Sequence, residues 1–157
     1  MQAVGYYFTR VFVLLIGILP FKVIYVISDM LFPVLWHIIR YRRNVVMINL
    51  KHSFPNLSEE ARTEIAKKFF RYFLDMTLET FKAHTISEKG IRSRVNVKTS
   101  VEIDQLIAQK KSTILLLAHY GNWEMFGQRV SLQPRFIFRS IYKPLNNKYF
   151  DKMMYDV

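Results

Sequence analysis

The chain begins with an apolar stretch and then settles into periodic patterns. Between residues 1 and 39 only Arg10, Lys22 and Asp29 carry charge. The longest charge-free run, Val11 to Phe21, is 11 residues, and Met30 to Ile39 gives another 10 with Pro33 and His37 inside it. A clean helical span needs about 20 apolar residues. Lys22 is able to snorkel if it lies near an interface, and Pro20 kinks or ends a first helix. Three arrangements compete: a single tilted span over about residues 4–28, helices lying in the interface or packed on the domain, and a cleaved signal peptide. No small-x-small site follows the apolar run, which counts against the signal peptide. The first two arrangements both bring the chain to a membrane.

The next pattern has a helical period. Phe54-Pro55-Asn56-Leu57 reads as a loop, Ser58 as an N-cap, and Glu59 and Glu60 as acids at the positive end of a helix dipole. Ile65, Phe69, Tyr72, Phe73, Met76 and Thr80 recur at three and four residues, which predicts an amphipathic helix over about 58–83. Its other face carries Arg62, Lys67, Lys68 and Arg71, either simply solvated or turned to phospholipid head groups. Beyond residue 91 the period shortens. Arg94 to Lys98 alternates polar and apolar, as a short strand does. Thr99-Ser100-Val101-Glu102 has capping-box spacing and predicts a helix of about ten residues, to Lys111. Ser112 to Ala118 is a continuous apolar run suited to a strand buried on both faces. Trp123 to Val130 reads as helix, Pro134 as its limit, and Arg135 to Tyr142 as a third strand. The alternation predicts an α/β fold: N-terminal hydrophobic and amphipathic helices, then an incomplete, mostly parallel sheet with helices on its faces.

Composition narrows the partners. The 157 residues hold 23 Lys+Arg against 12 Asp+Glu, a formal net charge of +11, and are 51% hydrophobic and 15% aromatic. So apolar a chain is not disordered. With no cysteine it is no disulfide-stapled secreted module. The positive excess suits phosphate on nucleic acid or on an anionic membrane. Arg40-Tyr41-Arg42-Arg43 directly follows the apolar segment, the pattern of a membrane-inserted segment with a cytoplasmic flank. No nucleic-acid recognition motif is present, and no nucleic-acid partner is expected.

Candidate chemistry lies after the second apolar run, where ligands of open α/β sheets bind. His119-Tyr120-Gly121-Asn122-Trp123-Glu124 places a histidine and a carboxylate five apart. On one regular helix they would point about 140° apart. They meet only if His119 precedes the helix and Gly121 allows a sharp turn. In that geometry His119 takes a proton from a hydroxyl, and Glu124 fixes its tautomer and stabilises the imidazolium. The motif holds no Ser or Cys nucleophile, so the hydroxyl belongs to a substrate and transfer is direct. A lone His-x4-Glu without catalytic meaning is the bland reading of the same residues. His37, His52 (placed in a loop) and His84 (near a helix end) make no metal-ligand spacing with an acid, so no metal is expected.

These residues carry a family resemblance. Leu115-Leu116-Leu117-Ala118-His119-Tyr120-Gly121-Asn122-Trp123-Glu124 resembles the H-x4-E block of the bacterial lipid A biosynthesis acyltransferases, the late or secondary enzymes. These are related more distantly to the H-x4-D glycerolipid acyltransferases. Ile141 to Asp151 resembles the family's Y-R-P-L-x-N-x-x-x-D stretch. Arg43 to Leu50 with Phe54-Pro55 resembles, more weakly, its R-x-N…N-L…F-P segment.

The resemblance implies that an acyl chain passes from acyl carrier protein to a hydroxyl of a lipid A precursor, at the cytoplasmic face of the inner membrane. It implies His119 as general base, Glu124 as its partner, and no cofactor. Asn122 either contacts substrate or, as the blander reading has it, caps the helix. Lys143 stands where the family has arginine, keeping the charge but losing the planar fork for phosphate. Asn147 is a further substrate-binding candidate, with a structural role as the alternative for it and Asp151. Family members continue past this point with further arginines, strands and helices. The chain is therefore expected to comprise a hydrophobic membrane-associated segment over 1–40 and the N-terminal part of an α/β acyltransferase domain over 41–157, truncated at its C-terminus. Two alternatives stand beside the main reading. One is an inactive membrane-associated remnant. The other is an acyltransferase whose acceptor is a lysophospholipid or another glycolipid.

Overall fold

A computed structural model describes residues 2–141, 143, 144, 146–149 and 151. Among these residues the delimited α-helices are α1 (Gln2–Ile18), α2 (Phe21–Pro33), α3 (Arg43–Ser53), α4 (Glu59–Ala83), α5 (Glu88–Arg94), α6 (Val101–Ala108) and α7 (Trp123–Ser131). A π-helical turn, Val34–Ile39, continues α2. The chain divides into two compact units, Leu19–Glu79 and Met1–Ile18 with Thr80–Val157.

The unit Leu19–Glu79 is built on aromatic packing. Phe32, Trp36, Ala66 and Phe70 form its buried cluster, with Leu35, Met47 and Leu50 against it. Trp36 meets Phe70 edge-on at 5.6 Å between ring centroids. The Arg43 guanidinium lies 4.1 Å from the Trp36 ring centroid and that of Arg71 4.2 Å from Phe32, so both cations cover aromatic faces while keeping their charge. Pro33 explains the π turn. Its nitrogen has no proton to donate and its ring crowds the carbonyl four residues back. The ladder widens after it, and Arg40 N–H bonds Leu35 O at 2.9 Å, five residues back. Arg40 then turns left-handed, φ 53°, and ends the segment.

Pro20 decides the shape of the apolar stretch. Its ring ends the first helix, and α2 starts at Phe21. The stretch over 4–28 is therefore two helices and not one tilted span. The helix that is long and apolar enough to cross a membrane is instead Phe21–Ile39, 19 residues, with 22% of its apolar window buried. A core helix of a soluble domain would be mostly covered. This one leaves Val26, Met30 and Ile38 exposed.

In the second unit, α1 meets the chain just after α4. A Cβ on Gly17 would lie 2.4 Å from Thr85 Oγ1 and under 3 Å from two more atoms of that side chain, so only glycine permits the approach. Lys82 Nζ donates to the Gly17 carbonyl, and Phe12 packs edge-on to Phe81. Val13, Ile16, Ala83, Ile91, Met125 and Val130 are the buried apolar side chains.

The expected α/β fold is overturned: among the described residues no strand or sheet forms, and every regular element is helical. Residues 95–100, 112–118 and 135–141 are irregular chain. A strand exists only through its neighbour's N–H and C=O groups. Alternation and apolar runs report which side chains want cover, not whether a ladder partner is there. Here Ile114, Leu116 and Ile137 are 87%, 88% and 84% exposed, so these runs are neither paired nor buried. Two helices also went unforeseen. α3 takes up His52, which is not in a loop, and α5 starts at a Ser87 cap bonded to Gly90 N–H.

Other local expectations held. The amphipathic pattern over 58–83 is α4, Glu59–Ala83, and Ser58 Oγ accepts from Ala61 N–H at 3.2 Å. The α6 cap sits one residue later than the capping-box spacing suggested. Ser100 Oγ accepts from Ile103 N–H, while Thr99 Oγ1 donates to Asp104 at 2.9 Å. Arg135 Nη1 also reaches Asp104, at 2.8 Å. The Thr99 hydroxyl first and the Arg135 guanidinium second hold the Asp104 carboxyl below its usual range.

Candidate active site

The H-x4-E segment folds as a turn running into a helix. Tyr120 N–H bonds Ala118 O at 2.8 Å, tightening the chain at His119. Gly121 follows with φ 67°, a left-handed conformation that glycine adopts without a Cβ penalty. Asn122 then caps α7: its Oδ1 accepts from Met125 N–H at 3.0 Å. This is the helix-capping alternative for Asn122, and it gives the reason the helix starts at Trp123. Glu124 follows in the first turn, where a carboxylate meets the positive end of the dipole.

The floor of α7 is tied down from below. Met125 and Val130 are buried. Gln128 Nε2 donates to Ala83 O at 3.3 Å, Arg129 Nε to Val95 O at 3.1 Å, and Arg92 Nη2 to Leu132 O at 2.9 Å. Sequence reading missed these anchors. Their partners are backbone carbonyls more than 30 residues away, and no local pattern marks such a pairing.

His119 is exposed, and its ring packs edge-on to Trp123 at 4.9 Å. No hydrogen bond or ion pair joins it to Glu124, which is half-buried five residues on. The turn brings the pair to one helix start without closing contact between them. Beside them is an open recess of about 270 Å³ lined by Leu117, Ala118, Tyr120, Asn122, Trp123 and Phe126. Its walls are mainly apolar, which suits an alkyl chain. Tyr120, 90% exposed, is among the lining residues the sequence did not single out. Its place between His119 and Gly121 was the available signal.

The second block is less assembled. Lys143 is exposed and joins none of the contacts around His119. Asn147 works locally: its Oδ1 accepts from Tyr149 N–H and its carbonyl from Asp151 N–H. Tyr142, Leu145 and Phe150 of this block lie outside the described residues.

The decisive comparison is with protein families. The model of the family described as bacterial lipid A biosynthesis acyltransferase matches residues 1–157, the whole chain. The chain belongs to that family. It is accordingly an acyltransferase of lipid A biosynthesis, with a lipid A or related glycolipid acceptor at the level the family defines. No curated protein and no solved structure matches it. For a lipid A acyltransferase the apolar lining beside His119 and the membrane-length helix Phe21–Ile39 are both apt, since donor chain and acceptor are lipids.

Proposed function

We propose that the chain transfers a fatty acyl group from acyl carrier protein to a hydroxyl of a lipid A precursor, at the cytoplasmic face of the inner membrane. One observation carries this reading. A histidine stands exposed at the turn into α7, its ring on Trp123, beside an apolar recess and five residues before a carboxylate in the first turn of that helix.

His119 takes the proton of the acceptor hydroxyl as its oxygen attacks the thioester carbonyl carbon. The tetrahedral intermediate collapses, the carbon–sulfur bond breaks, and the proton passes to the departing thiolate. Atoms balance without a covalent enzyme intermediate. Glu124 orients the ring and stabilises the imidazolium once substrate draws the pair together, since catalytic hydrogen bonds tighten in the loaded complex. Asn122 holds the turn in place. Lys143 and Asn147 contribute substrate contacts further along the chain. Residues 1–40 supply the membrane association that a lipid acceptor requires.

The test is acyl transfer by the chain with acyl carrier protein as donor and a lipid A precursor as acceptor. His119→Ala is expected to remove turnover while circular dichroism retains the helical content. Normal turnover by that variant rejects the general base. Transfer to a lysophospholipid in preference to the lipid A precursor rejects the acceptor. No transfer by the unaltered, folded chain favours the non-catalytic membrane-bound alternative.

A further inference from the structure

A second recess, of about 730 Å³, lies within the unit Leu19–Glu79 and is more polar than the first, with Val45 and Met47 as its apolar lining. Arg40, Arg42 and Arg43 line it, together with Asn44, Glu59 and Thr63. Three arginines and one acid thus share the lining, and none of the three forms an ion pair among the described residues. Two of the arginines have defined side-chain contacts. Arg40 Nε donates to His37 O at 3.1 Å, and Arg43 lies over the Trp36 ring. Arg42 holds a left-handed backbone, φ 49°, as Arg40 does with φ 53°. Such conformations are costly for residues with a Cβ and persist only where the surroundings impose them. They turn the chain where Arg40, Arg42 and Arg43 line one concavity.

The opening turn of α3 adds donors to the same place. No side chain caps α3 and no acid lies in its first turn. Arg43 N–H is used by Arg40 O and Val46 N–H by Arg42 O, which leaves the amides of Asn44 and Val45 at the recess.

Position selects the ligand. The recess follows directly on Phe21–Ile39, the helix long enough to cross a membrane. Ile38, 75% exposed, leads into it, and Tyr41 beside it is half exposed and stacked on Phe73. An apolar helix that ends in a tyrosine among arginines has the composition of a membrane–water interface, with an aromatic at the boundary and basic residues flanking it. From these observations we propose that the Arg40–Arg42–Arg43 recess binds the phosphate of an anionic membrane phospholipid, seating the end of the apolar helix at head-group depth. The site needs no turnover, so its success or failure is separable from that of the acyl-transfer reading.

The test uses the full chain, delivered from detergent to preformed vesicles and recovered by flotation. The vesicles are phosphatidylcholine alone or with about 20 mol% phosphatidylglycerol, enough anionic lipid to attract basic residues. The unaltered chain is expected to prefer the anionic vesicles. Arg40→Gln with Arg42→Gln is expected to lower that preference about thirtyfold, in line with the attraction of two basic residues to an anionic surface. Lys89→Gln with Lys98→Gln removes equal charge from exposed positions of the other unit and is expected to leave the preference within about twofold. If the double arginine variant does not fold, Arg42→Gln alone, which leaves the Arg40–His37 bond intact, carries the test. An equal loss in the lysine variant assigns the preference to overall charge and overturns the proposal. So does an unchanged preference in folded arginine variants. Displacement by inorganic phosphate, but not by chloride at equal ionic strength, shows a free-phosphate site and overturns the lipid assignment.

Discussion

Two helix starts in this molecule solve the same problem in opposite ways. Both α3 and α7 begin after a turn through left-handed backbone, at Arg42 in one and at Gly121 in the other. Every helix start exposes amides without intrahelical acceptors. At α7 the sequence satisfies them from within: Asn122 caps Met125 N–H, and Glu124 stands at the second helical position. At α3 the equivalent positions are Arg42, which does not cap, and Asn44, which is uncharged, with arginines around them. A start that completes itself frees neighbouring side chains such as His119 for chemistry. A start left electropositive awaits an anion from outside. The acyltransferase reading and the phosphate-site proposal thus rest on the same physics with opposite signs.

The largest expected effect is at the self-capped end. His119→Ala should lower acyl transfer by about 10²–10⁴-fold, the usual worth of a positioned general base. Because His119 is exposed, the thermal unfolding midpoint should hardly move. A large stability loss with proportionate activity loss would instead make it a packing residue against Trp123. Glu124→Gln comes next and is the sharper discriminator. As the partner of His119 it should cost at least about tenfold in kcat with little change in helix content. As a dipole acid alone it should leave kcat intact and cost only about 0.5 kcal/mol of stability.

What was legible beforehand follows the range of the interaction. The start of α4 at Ser58 and of α7 near Trp123 depend on residues within one turn, so the chain spells them out. The break at Pro20 is local in the same way. The exchange of Thr99 for Ser100 as the α6 cap shows the limit of spacing: two adjacent hydroxyls both fit, and Asp104 decides by engaging Thr99. The sheet was misread because Ile114 and Ile137 carry strand-like patterns, yet pairing is a property of two segments. At the site, Gly121 was legible as the turn that brings His119 and Glu124 to one helix start. Their lack of direct contact was not, because it depends on where α7 is anchored by Ala83, Val95 and Arg92.

A smaller effect tests whether α7 is capped from within. Asn122→Ala should destabilise the fold by about 1 kcal/mol, because Met125 N–H loses its acceptor. Asn122→Asp should recover that loss, since a carboxylate caps equally well. If Asn122 also contacts substrate through its amide protons, Asp restores stability and not the Michaelis constant. Recovery of both confines Asn122 to capping.

The smallest effect makes α3 resemble α7. Asn44→Asp places an acid where α7 carries Glu124. On helix energetics alone it should raise stability by about 0.3–1 kcal/mol, the gain of an anion in a first turn. The same carboxylate enters the arginine recess and pairs there with cations that no acid now engages. It should therefore weaken the preference for phosphatidylglycerol vesicles while strengthening the fold. Ordinary surface damage does not produce that opposite pair of signs. A variant both more stable and less selective means that α3 keeps its start uncapped for a ligand. A variant more stable and equally selective means that the open start is incidental, and the two helix beginnings then differ in sequence without differing in purpose.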